Sequence, residues 1–177
     1  MTGYYYELFE TPLGWMGLLA SSKGLRCTTL PQPSPDLCLS LLGAEVYGIT
    51  RRPEVFVGLK STLSLYFMGA PVTFADESVD IHDAPPFHRA AWNACRSIPI
   101  GETRTYKWLA SRVGRPLATR AAGQSMARNR LPIIIPCHRV VASDGSLNGF
   151  GGSATRIGLK SHLLKLETAA TLRSPKR

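Results

Sequence analysis

The chain has 177 residues, enough for one sizeable domain or two small ones, and its 44% hydrophobic and 19% charged residues are ordinary for a globular protein. No apolar stretch approaches the ~20 residues a membrane span needs, and the N-terminus lacks a basic segment leading into an apolar core, so a soluble, non-secreted protein is expected. The net charge of +9 hides a division: residues 1–84 hold five Lys/Arg against nine Asp/Glu, net −4, and residues 85–177 hold sixteen against three, net +13. The basic half reads either as a phosphate-binding surface or as a solvated face.

In chain order, Tyr4–Phe9, Trp15–Ala20 and Leu25–Leu30 read as strands, broken by turns at Thr11-Pro12-Leu13-Gly14 and Ser21-Ser22-Lys23-Gly24. Pro31–Pro35 is a loop, and Asp36 is the expected N-cap of a helix carrying Leu37, Leu41 and Leu42. Val55, Leu59, Leu63 and Phe67 recur at helical spacing, and Val72-Thr73-Phe74 reads as a last strand. Residues 1–84 thus make a small, structural α/β subdomain with an antiparallel sheet. A linker at Ile81–Pro86 follows, its prolines barring helix until Phe87.

Beyond it the pattern is mostly helical. Phe87, Ala91, Ala94 and Cys95 line one helix face. Tyr106–Val113 is a helix closed by Gly114, Arg115-Pro116 make a turn, and Leu117–Arg128 is a second helix kept slim by Ala118, Ala121, Ala122, Gly123 and Ser125. The overall class is α+β, with residues 85–168 as the second domain and 169–177 as a disordered basic tail.

The most informative segment is Ile133-Ile134-Ile135-Pro136-Cys137-His138-Arg139-Val140-Val141. The aliphatic runs read as short buried strands, which puts Cys-His-Arg at a tight junction in the core. Buried polar heads need partners, and a thiol beside a base and a cation is a recipe for a nucleophilic thiolate. The competing reading is a small buried hydrophobe. Cys27, Cys38 and Cys95 form no C-x-x-C pair with each other or with Cys137, and a disulfide framework is not expected.

Pro136-Cys137-His138-Arg139-Val140 resembles the active-site motif of the O6-alkylguanine-DNA alkyltransferases (methylated-DNA–protein-cysteine methyltransferases). The resemblance runs from about residue 87 to 167. It takes in Ile98–Thr103, Thr105–Ala110 as the first helix of a helix-turn-helix, and Ala118–Met126 as its recognition helix. It continues through Asn129 as a hinge, Asp144-Gly145, Gly149–Gly152 and Lys160…Glu167. It implies a winged-helix-like second domain and DNA repair by irreversible, single-turnover transfer of an alkyl group from O6 of guanine, with O4 of thymine as a further candidate, to Cys137. It also implies a Cys137–water–His138–Glu167 relay, with Arg139 tying subdomains together.

Extrusion of the base is implied for Arg120, as a finger entering the stack, and for Tyr106, pressing on the phosphate. Met126, Asn129, Val140, Phe150, Gly151 and Lys160 are implied to serve the substrate pocket, and Thr119, Ala121, Gly123, Gln124 and Arg128 to contact DNA. Double-stranded DNA carrying alkylated guanine is the expected partner of a monomer, in the cytoplasm beside the nucleoid of a prokaryote or the nucleus of a eukaryote. No cofactor is expected and no metal: some members carry a structural zinc, but Cys27 and Cys38, the candidates with His82 and His88, miss the matching positions.

Three departures stand out: Phe150 where members commonly have tyrosine, Arg130 where proline usually follows the hinge, and a short insertion at Ser153–Gly158. The alternative function is that of a non-catalytic alkyltransferase-like protein, against which Cys137 itself argues. A Cys-His hydrolase on the same scaffold is more remote.

Overall fold

The computed structural model describes residues 3–173, which divide into two compact units between Ile81 and His82. The expected boundary lay three residues later. In the first unit a hairpin of β1 (Tyr5–Thr11) and β2 (Gly14–Ser21) is extended by β3 (Gly24–Thr28), all antiparallel. β2 is central, and Met16, Leu18, Leu19 and Ala20 are all buried, as a strand covered on both faces requires.

A fourth strand went unread in the sequence. β4 (Thr50–Arg51) runs parallel to β1 and makes the sheet mixed, in the order β3-β2-β1-β4. It is anchored electrostatically: Arg51 donates from Nε and Nη2 to Oε1 of buried Glu7, at 2.8 and 2.6 Å. Val72–Phe74 is not a strand. Phe74 instead turns inward against the edge of Tyr66, and the pairing to β3 comes from Val79 opposite Leu25.

Helix α1 (Pro35–Leu42) is capped by Ser34, not Asp36, because Pro35 takes the first helical position and the Ser34 hydroxyl accepts from Leu37 N. It buries Cys38 and Leu42 over β2, whereas Leu37 and Leu41 remain exposed. Gly17 permits that approach, since a Cβ there would lie 2.9 Å from Leu42. Helix α2 (Val57–Phe67) buries Leu59, Leu63 and Phe67 as expected, while Val55 precedes the helix and is exposed.

The second unit starts with α3 (Pro86–Arg96), which turns Ala91, Trp92 and Cys95 inward. Strand β5 (Arg104–Thr105) leads straight into α4 (Tyr106–Arg112), capped by the Thr105 hydroxyl accepting from Trp108 N at 3.0 Å. Helix α5 (Thr119–Ala127) begins two residues later than its pattern suggests, leaving Leu117 in the turn and 99% exposed. α3, α4 and α5 pack on one another, and Trp92 Nε1 donates to Ser125 O at 2.8 Å.

After α5 the expected strand at Ile133–Ile135 is absent. Ile133 has φ 78°, a left-handed conformation that a β-branched residue adopts only under constraint from its surroundings. The segment is therefore a buried turn, while β6 (Val140–Val141) does form and pairs in parallel with β5. The chain ends in α6 (Ile157–Arg173), whose buried stripe is Lys160, Leu163, Glu167 and Ala170. The helix thus covers residues 169–173, which the expected tail had claimed, because Ala170 still packs into the core. The rest of that tail, 174–177, lies outside the described residues.

Candidate active site

Cys137, His138 and Arg139 form one short 3-10 turn between the strained Ile133 segment and β6, and all three side chains are buried. Placement here depends on Asn129, just beyond α5. Its Nδ2 donates to Ile135 O at 2.8 Å and to Cys137 Sγ at 3.1 Å, while its Oδ1 accepts from Leu131 N at 2.9 Å. One amide therefore fixes the turn and puts a donor on the sulfur, a role beyond that of a hinge.

Cys137 lies in the wall of a cavity of about 440 Å³. Of the residues singled out in the sequence, Tyr106, Thr119, Arg120, Gly123, Met126, Phe150 and Gly151 share that wall. Ala127, Asn148, Gly149, Gly152 and Ser153 join them. Ser153 carried no chemical signal in the sequence, and only the path of the 148–153 loop brings it there.

The other expected residues lie around the cavity. Val140 is fully buried, and its carbonyl accepts from Lys160 Nζ at 2.7 Å. Lys160 also reaches Asn148 O at 3.4 Å and lies 5.9 Å from the centre of the Tyr106 ring. The insertion at Ser153–Gly158 leaves Lys160 in register with Glu167, since both fall on the buried stripe of α6. Gln124 and Arg128 project from the exposed face of α5, with Ala121 half-buried beside them.

Behind the thiol lies a closed polar cluster. His138 Nε2 meets Glu167 Oε1 at 2.6 Å. Arg139 grips the same carboxylate through Nε to Oε2 at 2.9 Å and Nη2 to Oε1 at 3.0 Å, and donates from Nη1 to Ile98 O at 2.7 Å. Every one of these partners belongs to the second unit, so these bonds hold Arg139 inside this cluster. Gly101 N also donates to Glu167 Oε2, at 3.3 Å. The Phe150 ring stands edge-on to the imidazole, 6.0 Å between centres, with no hydroxyl to offer the cavity.

Burial sets the electrostatics. It pushes the Cys137 thiol upward, offset in part by the Asn129 hydrogen bond and the charge of Lys160. It pushes His138 downward, against the pull of Glu167. Burial would also raise Glu167, but the hydrogen bonds of His138 and Arg139, and the charge both carry at the low pH where this carboxyl titrates, overcome it and hold the carboxyl well below the usual carboxylate range. These directions favour a thiol, a neutral imidazole and a carboxylate at neutral pH. Because the carboxylate must accept from Nε2, Nδ1 is the basic nitrogen of the ring. The arrangement can take a proton from sulfur and hold the resulting imidazolium against an anion.

Residues 86–169 match the family model described as the DNA-binding domain of 6-O-methylguanine DNA methyltransferase. A methylated-DNA–protein-cysteine methyltransferase of Methanosarcina acetivorans is 35% identical over 166 residues, 92% of this chain and 97% of the relative. The constitutive enzyme of that name from Bacillus subtilis is 37% identical over 166 residues, 92% and 94% of the two chains. The chain belongs to the methylated-DNA–protein-cysteine methyltransferase family.

The likeness continues in three dimensions. The crystal structure of Mycobacterium tuberculosis O6-methylguanine methyltransferase covers 100% of this chain and 97% of its own, with 31% identity and a TM-score of 0.74. The same organism's protein in complex with DNA gives 0.75, with 32% identity over 94% of each chain. The motifs lie within about residues 87–167, and these alignments take in the first unit as well.

Proposed function

We propose that this protein repairs DNA by taking an alkyl group from O6 of guanine onto Cys137, once per molecule. The observation that carries this reading is a buried thiol that opens on a cavity, receives a hydrogen bond from Asn129, and sits beside a His138–Glu167–Arg139 cluster. The Sγ–H proton passes to His138 Nδ1, through a bridging water. Sulfur then attacks the alkyl carbon in line with the C–O6 bond. An S–C bond forms as C–O6 breaks, its electron pair leaves on guanine, and the proton follows to the purine. A thioether offers hydrolysis no leaving group, so the protein is spent and needs no cofactor.

The target oxygen of a duplex lies inside the base stack, so the nucleotide must be extruded into the cavity. Arg120, exposed on the cavity's rim, suits the finger that fills the vacated space, and Tyr106 suits the group that presses on the phosphate. Thr119, Gln124 and Arg128 follow along the outer face of α5, where a slim helix admits close approach of a phosphate backbone. The +13 balance of residues 85–177 supports duplex DNA as partner, and a monomer suffices for the reaction.

The test is to incubate the protein with a duplex carrying O6-methylguanine and weigh the intact protein. A single methyl mass mapped to Cys137 is expected. Lesion binding without mass gain would make it a non-catalytic recognition protein, and release of free alkyl product would make it a hydrolase.

A further inference from the structure

Arg139 is a buried cation placed across a buried anion, and that changes what His138 can do. Its guanidinium contacts both Glu167 oxygens, at 2.9 and 3.0 Å, and His138 Nε2 shares one of them at 2.6 Å. A carboxylate forked in this way is stabilised as an anion and does not take the imidazole's proton. The charge count runs the other way as well. Glu167 and Arg139 together are neutral, so the imidazole can remain neutral in the core. Without Arg139 the cluster would carry a buried negative charge, and an imidazolium would be needed to cancel it.

We infer that Arg139 is a positioning residue for alkyl transfer, neutralising Glu167 so that His138 rests with one proton, on Nε2, and presents Nδ1 to the proton of Cys137. The inference rests on the reading of Cys137 as acceptor and His138 as its base. When the thiol gives up its proton, Nδ1 gains it, Nε2 keeps its own toward Glu167, and thiolate and imidazolium appear together with no change in net charge.

The groups facing the Cys137–His138 pair are consistent with this. Glu167 and Lys160 reach it from α6, Arg139 from its own turn, Cys95 from α3, Tyr106 from α4 and Asn129 from beyond α5. Burial, Arg139 and Lys160 all lower the imidazole, and Glu167 alone raises it. Removing Arg139 takes away one opposing cation and leaves the buried anion uncompensated.

Nitrogen NMR of histidine-labelled protein reads this directly. In the unaltered protein His138 should be neutral at pH 7, protonated on Nε2, and should titrate below the ordinary histidine range. In Arg139→Gln its midpoint should rise by about one pKa unit or more, a tenfold change in proton affinity. Arg139→Lys, which keeps the charge, should stay with the unaltered protein. An unmoved midpoint in Arg139→Gln, or an Arg139→Lys midpoint that rises with it, overturns the inference. Should Arg139→Gln not fold, the unaltered protein still decides: an imidazolium at pH 7, or the proton on Nδ1, is incompatible with it. Methyl mass on Cys137 of the same labelled sample tests the underlying function separately, so the two failures are distinguishable.

Discussion

Asn129→Leu keeps the approximate size of the side chain and removes its amide. In the structure that amide donates to Cys137 Sγ at 3.1 Å and to Ile135 O at 2.8 Å. A hydrogen bond to a charged acceptor contributes about 1.5–3 kcal/mol, and it favours the thiolate over the thiol. At ~1.4 kcal/mol per unit, its loss raises the thiol by about one to two pKa units. Burial already holds this thiol above its ordinary value, so the shift moves it further from neutrality. Reaction at pH 7 should slow about ten- to a hundredfold, and raising the pH should restore much of the rate.

The assay is the pH dependence of methyl transfer from free O6-methylguanine, which needs neither DNA binding nor base extrusion. Loss of the bonds to Ile135 O and Leu131 N costs stability too, about 1–3 kcal/mol, so thermal unfolding should be followed alongside. A uniform drop at every pH, with the midpoint of the profile unmoved, would mean that Asn129 only braces the turn. The assigned donation to sulfur would then be wrong.

Cys137→Ser should abolish methyl transfer and leave affinity for unmodified duplex near its starting value; an alkyl mass on Cys27, Cys38 or Cys95 would refute the assignment. Arg120→Ala should slow duplex repair by about ten- to a hundredfold, the scale of a few kcal/mol of unstacking, while sparing free O6-methylguanine; equal damage to both would make Arg120 a pocket residue. Glu167→Gln breaks a buried pair with Arg139 and should cost about 3–5 kcal/mol in denaturant unfolding. The sign of its pH dependence follows from a folded Glu167 held below the usual range: the stabilisation is full above the unfolded carboxyl's pKa and fades as pH falls through the folded one. Acid unfolding curves should therefore be flatter in the variant. Gly101→Ala puts a Cβ 2.7 Å from Thr171 at φ 77° and should lower thermal stability by about 1–3 kcal/mol; no change would mean that the turn before β5 relaxes freely.

The sequence by itself determined the local devices. Short runs of aromatic and aliphatic residues between glycine-bearing turns specify the β1–β2–β3 meander, because run length and turn chemistry need no distant information. Prolines and glycines fix where α3 starts and α4 ends, and the Cys137-His138-Arg139 trio announces chemistry because such residues are seldom buried together without partners. The charge division between the two halves is likewise a property of the chain alone.

What the tertiary structure decided is whatever depends on contacts between distant residues. Two residues at β4 carry no periodicity, and they become a strand only because Glu7 awaits Arg51 across the sheet. Ile133–Ile135 has the composition of a strand, yet the bond from Asn129 to Ile135 O and the turn that presents Cys137 require it to fold back. Asn129 reads as a hinge beside the pocket until its amide is found on the sulfur, and the place of Arg139 is fixed only when its fork is found on Glu167. Sequence names the groups, but a pKa or a proton's position depends on burial and on partners tens of residues away, which only the packed core brings together.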